Sequence, residues 1–395
     1  MIADARTVRA VNALTVGWAG RALRQSEETV FSAAGVWPLL ALLAAGADGA
    51  ARDELERATG VDAGEAAGAA GRLLARLDAL PGVASAIGLW SKATVPLESG
   101  WAGALPPAAH GVLSGDVAAD RAALDAWADK RSGGLVPRLP IPVKEGTELV
   151  LAGALTVRTN WLRPFVEHGG VLYRTSALLD RVEVVEAPCG RVTVLKVLGT
   201  GGIDVHLLRG EAGVPGGEVL AAGVGALQRA YPAVSGDRLS YGEPGPGVTV
   251  SRVPGSDRRP YLSVTTVPFE VTAQHDLLDH AGLFGLTTAT DDSRGHFPGI
   301  SGEPLAVGAA GQTVTAAFSA LGYRSAAVTA FGVAAAGVPA STARRVRAEF
   351  IGPIGFLTVH RTSRLVLNAG WVDARLPEKD GDGWDESEDG ADGTA

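Results

Sequence analysis

The segment that decides the fold is Thr29–Gly60, TVFSAAGVWPLLALLAAGADGAARDELERATG. Its residues from Val36 to Ala45 are apolar on every side, which is the pattern of a helix buried all round. Gly46 follows, and glycine suits the left-handed conformation common at a helix C-terminus. A second helix is predicted over Ala50–Thr59. The segment therefore predicts a helix inside a large core, with another helix directly after it.

Helices come first in the chain and strands come later. Apolar residues recur at spacings of three and four on one face of an N-terminal helix: Val8, Val11, Leu14 and Trp18. A further amphipathic helix is predicted over Asp120–Asp129. From Glu148 onward, apolar runs separated by glycine and proline predict strands: Leu149–Val157, Val192–Val197, Ile203–Leu208, Val248–Val253, Tyr261–Val271, Thr313–Phe318, Gly355–His360 and Arg364–Val372. This order favours an α+β fold over a doubly wound sheet.

The composition indicates a soluble globular protein. Of the 395 residues, 46% are hydrophobic and 20% are charged, and the net charge of −8 argues against binding to nucleic acid. Cys189 is the single cysteine, so no internal disulfide can form and a reducing compartment is permitted. The first residues lack the basic start and apolar run of a signal peptide. The longest apolar stretch, Ala33–Ala47, is shorter than the roughly 20 residues that span a bilayer. We therefore expect a cytoplasmic protein with no membrane or nucleic-acid partner.

Motifs for common enzyme chemistries do not occur in the sequence. It contains no Gly-x-Ser-x-Gly nucleophile elbow, no Gly-x-x-x-x-Gly-Lys phosphate loop and no HExxH zinc motif. His275 and His280 are five residues apart, a spacing that does not place two metal ligands on one helix face. We therefore expect no catalytic residues, no metal site and no cofactor.

Five segments in a fixed order resemble those of the serpin family, and the likeness covers residues 5–376. Each alone is a weak signal, but five in the family's order are specific. They are Thr29–Gly60; LDAWADKRSGGLVPRL, Leu124–Leu139; TELVLAGALTVRTNWLRPF, Thr147–Phe165, with a Trp-x-x-Pro-Phe signature; VPFEVTAQHDLLDHAGLFGL, Val267–Leu286, followed by HFPGIS; and the pair AEFIGPIGFL, Ala348–Leu357, and LVLNAGWV, Leu365–Val372. The resemblance implies the serpin fold, an α+β fold with N-terminal helices, three β-sheets and an exposed reactive-centre loop.

The resemblance also implies a mechanism based on strand insertion. In serpins, a loop held above a five-stranded sheet enters that sheet after cleavage, because its backbone gains ladder hydrogen bonds there. The matching loop here is Gly322–Glu349. Counting along it places the scissile bond at Ala336-Gly337, with a basic alternative at Arg344, Arg345 and Arg347. The implied partner is a serine (or cysteine) protease, of the subtilisin, elastase or trypsin type.

The hinge that would enter the sheet first runs from Gly322 to Thr329. Gly322 fits the pattern of inhibitors, and so do Ser325, Ala326, Ala327, Val328 and Thr329. Because side chains alternate along a strand, Tyr323 would face the core and Arg324 the solvent. Tyr323 replaces a small residue at an expected overpacking cost of about 1–3 kcal/mol. We therefore expect Tyr323 to slow insertion and to weaken inhibition.

Four positions at which the family's strands must part, called the shutter here, also depart from the usual pattern. They are Ser32, Gly35, Gly153 and Gln312, where inhibitors carry Ser, Ser, Asn and His. These residues cannot form the usual hydrogen-bond network, although Gln312 can still bridge strands. Trp161 matches the point at which the family's loop enters the sheet, and we expect it to pack in the core.

Three classes of function stay open. The first is a protease inhibitor, supported by Gly322 and the small residues of the loop. The second is a non-inhibitory serpin-fold protein that binds a small molecule or a protein, supported by Tyr323 and the changed shutter. The third is an enzyme of small-molecule biosynthesis, which would need an ionisable pair in a pocket. We expect one monomeric domain, residues 1–376, followed by an acidic disordered tail, 377–395.

Overall fold

The computed structural model describes residues 5–23, 28–106, 109–134, 136–139, 141–255, 258–323 and 341–376. The α-helices in these ranges are α1 Ala5–Ala22, α2 Ala33–Ala44, α3 Gly49–Thr59, α4 Ala63–Asp78, α5 Ser99–Ala104, α6 Val117–Ser132, α7 Gly216–Leu227 and α8 Ala281–Phe284. Helices α1, α2, α3 and α6 lie where the sequence predicts them. No helix in the described ranges has both the length and the apolar character that a bilayer crossing requires.

Strands make up most of the chain after α6. In chain order they are β1 Thr29–Phe31, β2 Val83–Lys92, β3 His110–Leu113, β4 Leu149–Val157, β5 Thr159–Asn160, β6 Val166–His168, β7 Val171–Ser176, β8 Val182–Ala187, β9 Gly190–Leu198, β10 Ile203–Gly210, β11 Ala233–Ser235, β12 Gly242–Gly245, β13 Val248–Gly255, β14 Tyr261–Thr266, β15 Phe269–Asp276, β16 Val307–Phe318, β17 Gly322–Tyr323, β18 Ser341–Phe350, β19 Gly352–His360 and β20 Leu365–Ala374. The predicted α+β class, with helices first and strands later, is confirmed.

These strands form three sheets. Sheet A has the order β3-β2-β4-β16-β17-β5, and β15 pairs with the other edge of β16. Sheet B has the order β1-β20-β19-β10-β9-β8-β11, and sheet C has the order β12-β13-β18-β14-β7-β6. Neighbouring strands are mostly antiparallel, but β2 runs parallel to β3, β4 to β16, and β14 to β18.

Helix α2 lies at the centre of the core, as the apolar segment predicts. Every residue from Ala33 to Ala44 is buried. The helix begins at Ser32, whose hydroxyl accepts a hydrogen bond of 3.1 Å from the backbone N–H of Gly35. This N-cap satisfies one of the backbone donors that a helix start otherwise leaves without a partner.

The predicted single strand Tyr261–Val271 is wrong, because the structure divides it into two strands in different sheets. Residues Tyr261–Thr266 form β14 of sheet C, and Phe269–Asp276 form β15 of sheet A. Pro268 lies in the break, and proline has no backbone N–H to donate to a ladder. The chain therefore passes from sheet C to sheet A at this point.

Candidate functional site

The insertion region expected from the sequence lies in sheet A between β4 and β16. The two strands are paired as far as Gln312↔Gly153. Above that pair, toward Phe318, no register pair joins β4 and β16 in the described part of the chain. At the top, Tyr323 of β17 pairs with Phe318 on one side and with β5 on the other. Sheet A therefore has an insertion gap, which is bounded below by Gln312 and Gly153 and above by Tyr323.

Tyr323 is fully buried at the top of this insertion gap. Its side chain is 0% exposed, and its hydroxyl donates a hydrogen bond of 3.1 Å to Oδ1 of Asn368. Its ring lies 6.4 Å from that of Phe356, in a tilted arrangement. The expectation that Tyr323 overpacks the sheet needs correction, because the ring already occupies a core position with its hydroxyl satisfied. The inward orientation expected for Tyr323 does agree with its burial.

A tight turn connects β16 to β17. The backbone N–H and the hydroxyl of Ser319 both donate to the carbonyl of Gly322 at 2.9 Å. Trp161 holds this turn from the other side: its indole N–H donates to the Ser319 carbonyl at 2.9 Å, and its ring lies 4.9 Å from that of Phe318. Trp161 is 4% exposed, so it packs in the core and also fixes the β16–β17 turn.

The shutter residues come together at the lower end of the insertion gap. Gln312 pairs with the backbone of Ser32, because its amide oxygen accepts from the Ser32 N–H at 2.8 Å and its amide nitrogen donates to the Ser32 carbonyl at 2.9 Å. The Ser32 hydroxyl donates to the carbonyl of Leu367 at 2.5 Å. A Cβ added at Gly153 would lie 2.8 Å from the carbonyl oxygen of Gly35. A different network has thus replaced the usual one, with a glutamine amide joining β16 to the start of α2.

The proposed bounds of the exposed loop need correction at both ends. Gly322–Tyr323 form β17, and Ser341–Phe350 form β18 of sheet C. The distal part is a strand because Val346, Ala348 and Phe350 alternate along it and are all buried. Residues 324–340, between these two strands, lie outside the described residues.

The alternative cleavage site at Arg344, Arg345 and Arg347 therefore lies within a strand. The guanidinium of Arg344 donates to the Leu239 carbonyl at 2.5 Å and lies 5.1 Å from the ring centroid of Tyr241. These contacts and the strand pairing make this segment a poor substrate for a protease, which binds its substrate in an extended, accessible form.

Several predicted site residues and the tail lie outside the described residues. They are Arg324, Ser325, Ala326, Ala327, Val328, Thr329, Ala336, Gly337 and residues 377–395. Their roles, the one-domain division at residue 376 and the monomeric state stay predictions.

A second candidate site is a cleft of about 500 Å³ between sheet B and the end of α7. Two ion pairs line it: Lys196–Glu183 at 2.7 Å, and Arg361–Asp204 at 2.6 Å. Its lining includes two carboxylates and five cationic side chains, which are Arg181, Lys196, Arg229, Arg361 and Arg364. The cleft, called the basic cleft here, therefore carries an excess of positive charge.

His206 lines the basic cleft and is 8% exposed. Burial and the charge of Lys196 lower its pKa to about 4, although Asp204 acts in the opposite direction. The imidazole is therefore neutral at pH 7 and can donate one hydrogen bond.

Arg229 and Arg364 have φ values of 56° and 60°, and they are the only non-glycine residues with positive φ in the described ranges. Both line this cleft, and such a conformation costs free energy that the surrounding structure must supply.

Sequence patterns did not indicate Asn368, His206 or the basic cleft. Asn368 lies in the segment LVLNAGWV, where a single polar residue interrupts an apolar strand; that interruption is the signal that could have indicated a buried hydrogen bond. The basic cleft joins residues from β8, β9, β10, the end of α7 and the β19–β20 turn. No local pattern marks such a site. In the described residues, no group of three His, Cys, Asp or Glu side chains is arranged to hold a metal ion.

The N-terminal helices and the three sheets, with β17 paired at the top of the gap in sheet A, define the class of fold. Comparison with known proteins agrees. Residues 12–169 match the family model for serpin (serine protease inhibitor). A comparison with curated protein sequences gives no significant match.

Similar solved structures include thyroxine-binding globulin in complex with thyroxine, at 13% identity and a TM-score of 0.70, covering 94% of this chain and 99% of that one. Native protease nexin-1 with heparin aligns at 16% identity and a TM-score of 0.69, covering 93% and 98%. Serpin48 of the insect Tenebrio molitor aligns at 18% identity and a TM-score of 0.67, covering 93% and 98%. At these identities the likeness establishes the fold. The family match over residues 12–169 supports membership of the serpin family.

Proposed function

We propose that this serpin inhibits serine-type proteases by inserting the residues after Tyr323 into sheet A. The insertion gap between β4 and β16, with β17 already paired at its top, is the observation that carries the proposal. Tyr323 is opposite both Phe318 and Thr159. If the antiparallel register with β16 continues, Thr329 lies opposite Gln312, and if the register with β5 continues into β4, Thr329 lies opposite Gly153. Gln312 and Gly153 are themselves paired. Residues 324–328 thus match the length of the insertion gap.

The chemistry of these residues supports insertion. Ser325 and Ala327 follow Tyr323 at intervals of two, so they would face the core, and both are small enough to avoid overpacking. Arg324 would face solvent. Each backbone hydrogen bond gained contributes about 0.5–1.5 kcal/mol. Entry of residues 324–328 breaks no existing β4–β16 pair, whereas deeper entry separates the strands below Gln312.

Incubation with subtilisin-, elastase- and trypsin-like proteases tests the proposal. We expect a 1:1 complex that survives SDS with an elastase- or subtilisin-like enzyme, because Ala336-Gly337 offers small residues at the scissile bond. Ala327→Glu, at a core-facing position, should turn the protein into a substrate that is cut without forming a complex. Ala326→Glu, at a solvent-facing position, is the matched control and should keep the complex. Simple cleavage of the unmodified protein by all three enzyme classes would overturn the proposal.

The basic cleft favours a second candidate function, the binding of a small anion. A neutral His206 and the arginines that line the basic cleft suit a carboxylate or phosphate. Leu198, Leu227 and Val359 of the same cleft offer apolar contact. Arg229 and Arg364 have no ion-pair partner in the described part of the chain. Thyroxine-binding globulin, which was solved with thyroxine bound, is a serpin-fold protein that holds a small molecule.

Calorimetric titration with inorganic phosphate and, separately, with thyroxine tests this second candidate. We expect saturable binding of at least one of them, and Arg364→Ala should weaken it about tenfold or more, as the loss of one charge-assisted hydrogen bond would. Arg9→Ala, on the exposed face of α1, is the control and should leave it unchanged. Equal affinity in the Arg364 and Arg9 variants would exclude the basic cleft as the site.

A further inference from the structure

A small cavity of about 130 Å³ is lined by residues of both sheet B and sheet C. Its apolar lining is Leu162, Leu178 and Leu198, and the first two of these leucines are 55% and 43% exposed. A single exposed leucine is ordinary, but two that line one cavity form an apolar surface that a ligand can cover. This cavity is called the leucine pocket here.

Four cationic side chains share the lining of the leucine pocket: Arg163, Arg174, Arg181 and Lys196. Two of them have an ion-pair partner, because Lys196 lies 2.7 Å from Glu183 and Arg181 lies 3.4 Å from its exposed neighbour Asp180. The other two have no ion-pair partner in the part of the chain that the structure describes. The lining of the pocket therefore carries an excess of positive charge.

Arg174 carries a partly buried charge without a counter-ion. Its guanidinium lies 4.3 Å from the ring centroid of Phe165 and donates to the carbonyl of Arg163 at 2.9 Å. Burial, followed by the charges of Arg163 and Arg181, lowers the pKa of Arg174 to about 10, so the side chain stays charged at pH 7. Removing a charge from water without a counter-ion is costly. An anion in the leucine pocket would reduce this cost.

Arg181 adds an unused donor to the same lining. Its Nε–H is buried and has no hydrogen-bond partner among the described residues. Most buried donors in proteins are paired, so an unpaired donor on a residue that lines a cavity indicates a place for a ligand acceptor. A carboxylate has two acceptor oxygens, which suit the parallel donors of a guanidinium.

We infer that the leucine pocket binds a small organic acid, that is, a carboxylate with a short aliphatic chain. The arginines hold the carboxylate, and the leucines cover the chain. The volume of the pocket equals that of about four water molecules, which suits a carboxylate with two or three further carbon atoms. An inorganic anion would leave the leucines uncovered, and an uncharged alcohol would leave the arginines without a counter-ion.

The leucine pocket is adjacent to the basic cleft but has its own charged groups. The two share Arg181, Lys196 and Leu198, whereas Arg163 and Arg174 line the leucine pocket alone. The inference therefore goes beyond both proposed functions and depends on neither.

The affinities of the unmodified protein for butanoate, acetate and 1-butanol test the inference. NMR titrations that follow the methyl signal of each ligand at constant ionic strength give the dissociation constants. We expect butanoate to bind about tenfold more tightly than acetate, because two further methylene groups leave water. It should also bind at least tenfold more tightly than 1-butanol, which offers the arginines no charge. Equal affinities for butanoate and acetate, or no saturable binding of butanoate, would overturn the inference.

Substitutions locate the bound acid. Arg174→Met removes the charge but keeps an apolar stem against Phe165, and it should weaken butanoate binding about tenfold or more. Arg163→Met changes an exposed side chain, so it should leave the fold intact while weakening binding in the same direction. Arg9→Ala, on the exposed face of α1, is the control and should keep the unmodified affinity.

Arg364→Ala separates the leucine pocket from the basic cleft, because Arg364 lines the basic cleft alone. Butanoate binding that is lost in Arg364→Ala but kept in both Arg163→Met and Arg174→Met would belong to the basic cleft and would overturn the inference. Binding that is weakened in Arg163→Met and Arg174→Met but kept in Arg364→Ala would support the leucine pocket, whether or not the basic cleft binds an anion.

Discussion

The hydroxyl of Tyr323 donates a hydrogen bond of 3.1 Å to Oδ1 of Asn368, and both side chains are buried. The bond joins β17 of sheet A to β20 of sheet B. It fixes Tyr323 in sheet A. Under the proposed mechanism, insertion therefore starts from a paired position and the hinge does not have to enter from solvent.

Tyr323→Phe should lower the free energy of unfolding by about 1–3 kcal/mol, because it leaves the buried Asn368 oxygen without its donor. Urea denaturation measures the change. A double-mutant cycle with Asn368→Ala should give a coupling of about 1 kcal/mol. Tyr173→Phe, at an exposed tyrosine of β7, should have no effect. If the effects of the two substitutions on the free energy of unfolding simply add, the hydrogen bond between these residues does not stabilise the protein.

Limited trypsin digestion should cut first after Arg324 and should spare Arg344 and Arg345. The latter two lie in β18, where strand pairing hinders the binding of the segment in a protease active site. Mass spectrometry of the first fragments locates the cut. A first cut at Arg344 or Arg345 would mean that this part of β18 is open in solution.

The position of the cut should decide whether the protein gains stability. Elastase cleavage close to Ala336 leaves residues 324–335 attached to Tyr323, and their insertion should raise the melting temperature by about 10 °C or more. Trypsin cleavage after Arg324 leaves almost nothing to insert, so it should give no such rise. Equal melting temperatures for the two cleaved forms would refute insertion from Tyr323.

The class of fold follows from local sequence patterns, whereas the packing of side chains at the insertion gap depends on contacts between sheets. The buried helix α2 was predictable because Val36 to Ala45 is apolar on every side. The inward orientation of Tyr323 was also predictable, from the alternation of side chains along a strand. The space for its ring was not, because it is formed by Phe356 and Asn368, which are distant in sequence. The overpacking expectation assumed a sheet shaped for a small residue, and this sheet is shaped for tyrosine.

The extent of β18 was missed for a similar reason. Arg344, Arg345 and Arg347 give the segment a polar character that resembles a solvated loop. Its strand conformation depends on pairing with β13 and β14, which precede it by many residues. The resemblance to serpins predicts a loop in this part of the chain, but it does not fix where β18 begins.

Gly153→Ala should destabilise the protein by about 1–3 kcal/mol, because the new methyl would lie 2.8 Å from the carbonyl oxygen of Gly35. Gly71→Ala is the matched control: its Cβ would meet nothing within 4 Å on α4, so it should be neutral or stabilising by up to about 1 kcal/mol. Thermal and urea unfolding measure both. If the two variants are equally stable, the glycine of the shutter is not needed for the close approach of β4 to α2.

His206 makes the stability of the protein depend on pH in a defined window. Its pKa falls from an ordinary value of 6.5 to about 4, chiefly through burial and then through the charge of Lys196. Between pH 6.5 and pH 4 the unfolded chain therefore binds a proton that the folded chain does not. Folding stability must decrease as the pH falls through this window, by up to about 3 kcal/mol. Above pH 6.5 both states are neutral, and the effect vanishes.

His206→Leu should remove this part of the acid sensitivity. The free energy of unfolding, measured in urea at intervals from pH 7.5 to pH 4.5, should fall less steeply for the variant than for the unmodified protein, and the difference should grow below pH 6.5. Acidic groups and the other histidines contribute equally to both proteins and cancel in the comparison. His168→Leu, at an exposed histidine of β6, should keep the unmodified slope. If the free energy of unfolding of the unmodified protein and of His206→Leu depends on pH in the same way, the pKa of His206 does not change on folding. The basic cleft would then hold a charged imidazole at mildly acidic pH.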